Sequence, residues 1–256
     1  MLLAIDAGNT NVVIGAYRGS ELIATWRTAT DHDRTEDELA VTLDALLGQE
    51  DLSLEAMDAL VLGSVVPPLT QAFTRLADRY MEGKAVVIGP GVKTGVRLRV
   101  DNPSEVGADR IANTLAASRI YRKDAVVVDL GTATTYDCIT ADGTFLGGVI
   151  QPGIMISADT LFRRTAQLPA TDIVPPKKVI ARRTDECIRA GVLYGAVDSI
   201  DGIVRRIKKE WPGKKHPIVI ATGGMAETIR PHSAELELVD PFLTLKGIRL
   251  GFELLS

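Results

Sequence analysis

The sequence has few cysteines and no long apolar run, and each shortage excludes a class of protein. Its two cysteines, Cys138 and Cys187, lack the spacing of metal ligands, so we interpret them as thiols in a reducing compartment. No stretch approaches the roughly 18 consecutive apolar residues that span a bilayer. We therefore expect no membrane segment.

The N-terminus and the charge balance exclude two further classes. The first residues lack a basic stretch and Asp6 interrupts their apolar run, which is not the pattern of a signal peptide. We therefore expect a cytoplasmic protein. A net charge of −4 without a basic stripe argues against a nucleic-acid partner. The three histidines, at positions 32, 216 and 232, lie in predicted loops without a metal-like arrangement.

What is present is a pattern of strands and helices that occurs twice. Three strands open each half of the chain, followed in each by segments with helical spacing or capping signals. These strands are predicted at residues 2–6, 11–17, 21–27, 125–130, 135–140 and 144–150. The pattern indicates an α/β fold made by duplication. We predict an N-terminal domain over residues 1–118 and a C-terminal domain over residues 119–256.

The first strand runs into a polar turn, and a turn of this kind can hold a phosphate. The turn consists of Asp6, Ala7, Gly8, Asn9, Thr10 and Asn11. A glycine lets the main chain approach closely, successive N–H groups bind an anion, and an aspartate can hold a metal ion or its water. A plain hairpin turn also favours Gly and Asn, so this turn alone leaves both interpretations open.

A similar polar turn occurs about 123 residues later, after the first strand of the second half. It runs from Asp129 through Gly131 and Thr132 to Thr135. Two such turns at corresponding places favour the phosphate interpretation over two unrelated hairpins, and they predict two lobes that hold one polyphosphate. A third strand ends in Gly223-Gly224, where a flat ligand such as adenosine can approach the backbone, although a simple strand-to-helix turn would look the same.

Two further segments carry candidate substrate contacts. Asp109 and Arg110 lie where a helix is predicted to begin, so the carboxylate can serve as a general base and the guanidinium can bind a substrate carboxylate. The structural alternative is an Asp that complements the helix N-terminus beside a surface Arg. Thr184 opens a long predicted helix, either as a capping hydroxyl or as a ligand contact. Gly191 and Gly195 on that helix allow close packing against a helix or a partner subunit.

With these motifs, the chain resembles the type III pantothenate kinases, which belong to the superfamily of acetate kinase, sugar kinases and actin. The resemblance covers essentially the whole chain. The segments that carry it are 6–11, 102–110, 129–135, 147–153 and 165–169. It implies duplicated ribonuclease H-like domains of the actin-like ATPase type, each a mixed sheet flanked by helices, with an ATP cleft between them.

The resemblance also implies roles for individual residues. Asp6 through Asn11 together with Val12 and Val13 would hold the ATP phosphates, with Asp6 near Mg²⁺, directly or through water. Thr132 would contact ATP, and Asp129 would bind a monovalent cation, K⁺ or ammonium. Pantothenate would contact Thr184 and the segment Gly107, Ala108, Asp109 and Arg110, in which Asp109 accepts the proton.

The implied reaction is ATP-dependent phosphorylation of pantothenate to 4′-phosphopantothenate, the first step of coenzyme A biosynthesis, by a homodimer. One position departs from the family: many members have Tyr where this chain has Val100, so no hydroxyl contact is expected there. Two alternatives stay open on the sequence. One is another small-molecule kinase of the superfamily, and the other is an accessory regulator of transcription that shares the fold without catalysis.

Overall fold

A computed structural model describes residues 1–81, 85–165 and 168–255. Strands alternate with helices along these segments. The strands are β1 (Leu2–Ala7), β2 (Asn11–Arg18), β3 (Glu21–Ala29), β4 (Ala59–Ser64), β5 (Ala85–Ile88), β6 (Arg97–Leu98), β7 (Ala125–Leu130), β8 (Ala133–Ile139), β9 (Thr144–Pro152), β10 (Ile218–Thr222) and β11 (Leu238–Val239). The α-helices are α1 (Glu36–Gly48), α2 (Pro67–Tyr80), α3 (Ala108–Ala116), α4 (Ile154–Arg164), α5 (Thr184–Glu210), α6 (Ala226–Ile229) and α7 (Leu243–Leu255).

The chain forms two compact units, and the first consists of residues 1–120 and 143–145 with the C-terminal residues from Leu243 onward. Its sheet has the order β3-β2-β1-β4-β5. The first three strands pair antiparallel, whereas β4 runs parallel to β1 and β5 runs parallel to β4. Helices α1 and α2 pack together, and α3 packs on α7. Leu3, Ile5, Leu60, Leu62 and Phe73 belong to the buried core.

The second unit consists of residues 121–142 and 146–242. Its strands have the order β11-β10-β7-β8-β9, with β7 antiparallel to β8 and β10 parallel to both β7 and β11. Helix α4 packs on α5. The apolar side chains of Val126, Val128, Leu193 and Val219 are fully buried in its core. Each unit therefore buries its own apolar residues around its own sheet.

The α/β class and the repeated triplet of strands are confirmed, since β1 to β3 and β7 to β9 follow the predicted order. The capping box at the start of α1 also forms: the Thr35 N–H donates to the Glu38 carboxylate at 2.9 Å, and the Glu38 N–H donates to the Thr35 hydroxyl at 3.3 Å. Pro67 and Pro68 follow β4 and form the first turn of α2, where proline is tolerated because its missing N–H has no helical partner.

Candidate active site

The first phosphate turn lies at the carboxyl end of β1, where it leads into β2. Ala7 is opposite Val12 in the antiparallel pair, and the Gly8 N–H donates to the Asn11 carbonyl at 3.0 Å. Asn9 and Thr10 are exposed, and Asp6 is half-buried. The turn therefore presents polar side chains and main chain to solvent, with one carboxylate at its base.

The segment Gly107–Arg110 lies beside this turn within the first unit. A Cβ on Gly107 would stand 3.4 Å from Val65, whose N–H donates to the Ala7 carbonyl at 3.1 Å. Ala108 approaches Gly63, the residue paired with Asp6 in the parallel register of β1 and β4. The carboxyl ends of these two strands share one edge of the sheet. Sequence motifs that are a hundred residues apart are thus brought together there.

Asp109 is in the first turn of α3, and its carboxylate folds back over the helix N-terminus. The carboxylate accepts a hydrogen bond from the Arg110 N–H at 2.9 Å. It also lies against the Cα of Gly107, in the space that a Cβ there would occupy. Burial raises the pKa of the Asp109 carboxyl above its ordinary value, and the N–H and the positive charge of Arg110 partly oppose this rise. The carboxylate is a stronger base than an exposed one.

The guanidinium of Arg110 stacks on the ring of Phe145, with 4.8 Å between its central carbon and the ring centroid. Phe145 is fully buried and belongs to the same unit as Arg110. A cation over an aromatic face is attracted by the ring quadrupole. The stacking holds the planar guanidinium in place next to Asp109. Its parallel N–H donors are suited to a carboxylate or a phosphate.

The second polar turn joins β7 to β8 in the second unit. Asp129 is opposite Thr135, and the Gly131 N–H donates to the Ala133 carbonyl at 3.1 Å. Gly153 packs against this turn so closely that a Cβ would stand 2.7 Å from the Gly131 carbonyl oxygen. Only a glycine at position 153 lets the chain pass so close to Thr132 and Gly131.

The structure brings Gly223 to the second turn. Thr222 of β10 is paired with Asp129 of β7 in parallel register, so the glycine that follows lies over the end of β7. Gly223 has φ +87°, and a Cβ there would stand 2.6 Å from the Asp129 carboxylate and 2.7 Å from the Leu130 carbonyl carbon. Gly223 is therefore required by its backbone conformation and by this approach. Gly224 follows it and is exposed.

Thr184 lies elsewhere in the second unit. It is the first residue of α5, after an N-cap residue, Arg183, that makes no side-chain capping bond. Its exposed side chain lines a groove of about 700 Å³ between α4 and α5, and Ile188, Gly191 and Gly195 also line this groove. Thr184 and Gly107–Arg110 thus belong to different units.

One residue that sequence reasoning missed holds the first turn in place. Thr30, which directly follows β3, donates from its hydroxyl to the Gly8 carbonyl at 2.6 Å and from its N–H to the Thr10 carbonyl at 2.9 Å. The register that places Thr30 beside the turn continues the pairing of β2 with β3. The sequence signal for this role is a threonine that directly follows the third strand, at the level of the turn in the register of β2 with β3.

Within the segment 165–169, Ala166 and Gln167 lie outside the described residues. Among residues 1–81, 85–165 and 168–255, no three His, Cys, Asp or Glu side chains cluster as they would around a metal ion. No helix in those ranges is long and apolar enough to cross a membrane.

The chain is similar over most of its length to known proteins. The family profile of type III pantothenate kinase matches residues 2–206. A type III pantothenate kinase from Moorella thermoacetica is 47% identical over 253 residues, which cover 99% of each chain. Among solved structures, a Baf family transcriptional activator from Campylobacter jejuni superposes with a TM-score of 0.61 at 19% identity, covering 98% of this chain and 97% of that one.

A second solved structure, component A of (R)-2-hydroxyglutaryl-CoA dehydratase from Acidaminococcus fermentans, has a TM-score of 0.58 at 17% identity. It covers 100% of this chain and 96% of its own. At such low identity the two structures show the fold alone. That fold, a duplicated actin-like ATPase domain, is the one expected from the sequence.

Proposed function

The chain belongs to the type III pantothenate kinase family, and from that premise we propose how its residues carry out the reaction. The enzyme phosphorylates pantothenate in coenzyme A biosynthesis, with ATP as the phosphoryl donor. The observation that carries the proposal is the proximity of Gly107–Arg110 to the turn at Asp6 within one unit. The candidate base Asp109 and the phosphate-binding turn at Asp6 lie at the same edge of one sheet.

We assign the ATP phosphates to Asp6 through Val13. Support comes from the exposure of Asn9 and Thr10 at the tip of the turn, since successive main-chain N–H groups in a turn of this kind can bind an anion. Thr132 is a further ATP contact, and Gly223 with Gly224 accommodates the adenosine because a flat ligand can approach glycine closely.

Asp109 is the general base. The hydroxyl oxygen of pantothenate forms a bond to the γ-phosphorus, and Asp109 takes the hydroxyl proton. The bond from the γ-phosphorus to the β–γ bridging oxygen breaks, and ADP leaves with that electron pair. A base in this role contributes about 10²–10⁴ in rate. The raised pKa of Asp109 brings its basicity closer to the working pH.

Arg110 binds the negative charge of the substrate. Its guanidinium is fixed over Phe145 and offers parallel N–H donors to a carboxylate. Gly107 and Ala108 contact pantothenate through the main chain at the start of α3. Thr184 is a further pantothenate contact.

Two cations complete the proposal, and both fit the chemistry of their sites. Asp6 is a half-buried carboxylate at the base of the phosphate turn, which suits Mg²⁺ held directly or through water. Asp129 is half-buried with its carboxylate close to Gly223, and a carboxylate oxygen is a donor that suits K⁺ or ammonium. Bound there, the cations would offset charge on the phosphates.

We infer a homodimer from exposed apolar side chains on α4 and open glycine positions on α5. Met155 and Ile156 on α4 leave 51% and 44% of their surface exposed. A Cβ on Gly191 or Gly195 would meet nothing within 4 Å, so the α5 surface is open to a packed partner. A monomer in sedimentation equilibrium at micromolar concentration would contradict this inference. The substrates favour a cytoplasmic location.

A coupled assay of ADP formation tests the substrate and the cation together. We expect ADP release that requires pantothenate, proceeds in K⁺ or ammonium, and falls when Na⁺ is the only monovalent cation. A panel of other hydroxyl acceptors serves as the control for a different small-molecule kinase. ADP release without pantothenate dependence would contradict the substrate, and equal rates in Na⁺ would contradict the role of Asp129.

A further inference from the structure

We propose that Thr30 is the positioning residue of the ATP phosphate turn. This inference rests on the proposed role of Asp6 through Val13 in holding the phosphates. Thr30 itself lies beyond the turn, directly after β3, and is half-buried. It makes two hydrogen bonds to the turn, one from its side chain and one from its main chain.

The two bonds hold both ends of the turn tip. The Thr30 hydroxyl donates to the Gly8 carbonyl at 2.6 Å, and the Thr30 N–H donates to the Thr10 carbonyl at 2.9 Å. Asn9, the residue between these two carbonyls, is exposed. A turn rich in glycine and asparagine has many backbone conformations open to it. The hydrogen bonds from Thr30 to two carbonyls of the turn restrict the turn to one of these backbone conformations.

The direction of the carbonyls determines the direction of the anion donors. In a trans peptide the carbonyl and the following N–H lie in one plane and point in opposite directions, and the Gly8–Asn9 peptide is trans. Because Thr30 holds the Gly8 carbonyl, the Asn9 N–H is directed away from β3. By the same reasoning, the bond to the Thr10 carbonyl sets the direction of the Asn11 N–H.

The hydroxyl, rather than the shape of the side chain, is the feature that matters. Valine has nearly the volume of threonine and the same branched Cβ, but it has no donor for the Gly8 carbonyl. Serine keeps the donor and loses one methyl group. Thr30→Val therefore removes the side-chain bond while the main-chain bond to Thr10 remains, and Thr30→Ser keeps both.

The test is the kinetics of Thr30→Val with each substrate varied in turn. We expect the KM for ATP to rise about threefold to tenfold, the range that corresponds to one lost hydrogen bond. The KM for pantothenate and the thermal unfolding temperature should stay close to those of the wild-type enzyme, and Thr30→Ser should restore the KM for ATP. Thr25→Val, at an exposed position in the middle of β3, is the matched control.

Asp6→Asn separates failure of this inference from failure of the proposed ATP site. If Asp6→Asn weakens ATP use and Thr30→Val does not, the role of Thr30 is wrong and the turn keeps its role. If neither variant changes the KM for ATP, the assignment of the phosphates to this turn is wrong. A loss shared equally by Thr30→Val and Thr25→Val would show a general effect on β3 and would overturn the inference.

Discussion

At the scale of single residues, the surroundings of Asp109 change the basicity of its carboxyl group. Its carboxylate is half-buried and lies against Gly107, and this burial raises its pKa. The folded state thus favours the protonated form more than the unfolded state does. The stability that this group contributes is present at pH values below its unfolded pKa and is lost as the pH rises through its folded pKa. At neutral pH the charge of Asp109 therefore lowers the free energy of unfolding.

Gly107→Ala tests whether the Asp109 carboxylate needs the space that the absent side chain of Gly107 leaves. The backbone of Gly107, with φ −58° and ψ 151°, suits alanine without strain. The added methyl group would occupy the place of the Asp109 carboxylate, which must rotate away. We expect turnover to fall at least about tenfold, because a displaced base loses its alignment with the hydroxyl.

Gly48→Ala at the end of α1 is the control for that prediction, because a Cβ there meets nothing within 4 Å. Neither its turnover nor its stability should differ noticeably from the wild-type values. Full activity in Gly107→Ala would mean that the position of the Asp109 carboxylate does not limit the reaction.

At the scale of elements, the strand-to-turn junctions were the most predictable part of the chain. Apolar runs that end in Asp, such as those at Asp6 and Asp129, predicted β1 and β7 and the turns that follow them. Local sequence carries this information because strand propensity and turn chemistry act over a few residues. The two-residue strand β6 was not predicted, since its pairing with Thr144 and Phe145 depends on a distant segment.

Gly223→Ala tests the junction between β10 and β7. Alanine is strained at φ +87°, and its Cβ would overlap the Asp129 carboxylate and the Leu130 main chain. We expect the free energy of unfolding to drop by about 1–3 kcal/mol, measured by chemical denaturation. The K⁺ dependence that we propose for Asp129 should weaken as well, because its carboxylate is pushed from its position.

Gly202→Ala on α5 is the matched control, since a Cβ there has open space and alanine is the better helix former. This variant should be at least as stable as the wild-type enzyme. If Gly223→Ala unfolds at the same denaturant concentration as the wild-type protein, the close approach to Asp129 has no energetic importance.

At the scale of the whole molecule, two long-range features escaped sequence reasoning. Helix α7 packs within the first unit, where Gly247 lies against the main chain of Ala112 so closely that no Cβ fits. The position of Gly107 and Ala108 beside the end of β1 likewise depends on the register of β1 with β4. No local pattern encodes either contact. The boundary between residues 118 and 119 stays a prediction, as do the roles of the site residues.

We propose that a carboxylate beside the phosphate turn, that of Asp109, takes the proton from pantothenate. The most direct measurement is the rate of pantothenate-dependent ADP formation by Asp109→Asn in K⁺ buffer. The amide keeps the shape of the side chain but is no base, so turnover should fall at least about tenfold. Its unfolding temperature at neutral pH should equal or exceed that of the wild-type enzyme, because a half-buried charge is removed. Turnover close to wild type in a folded Asp109→Asn variant would contradict the account.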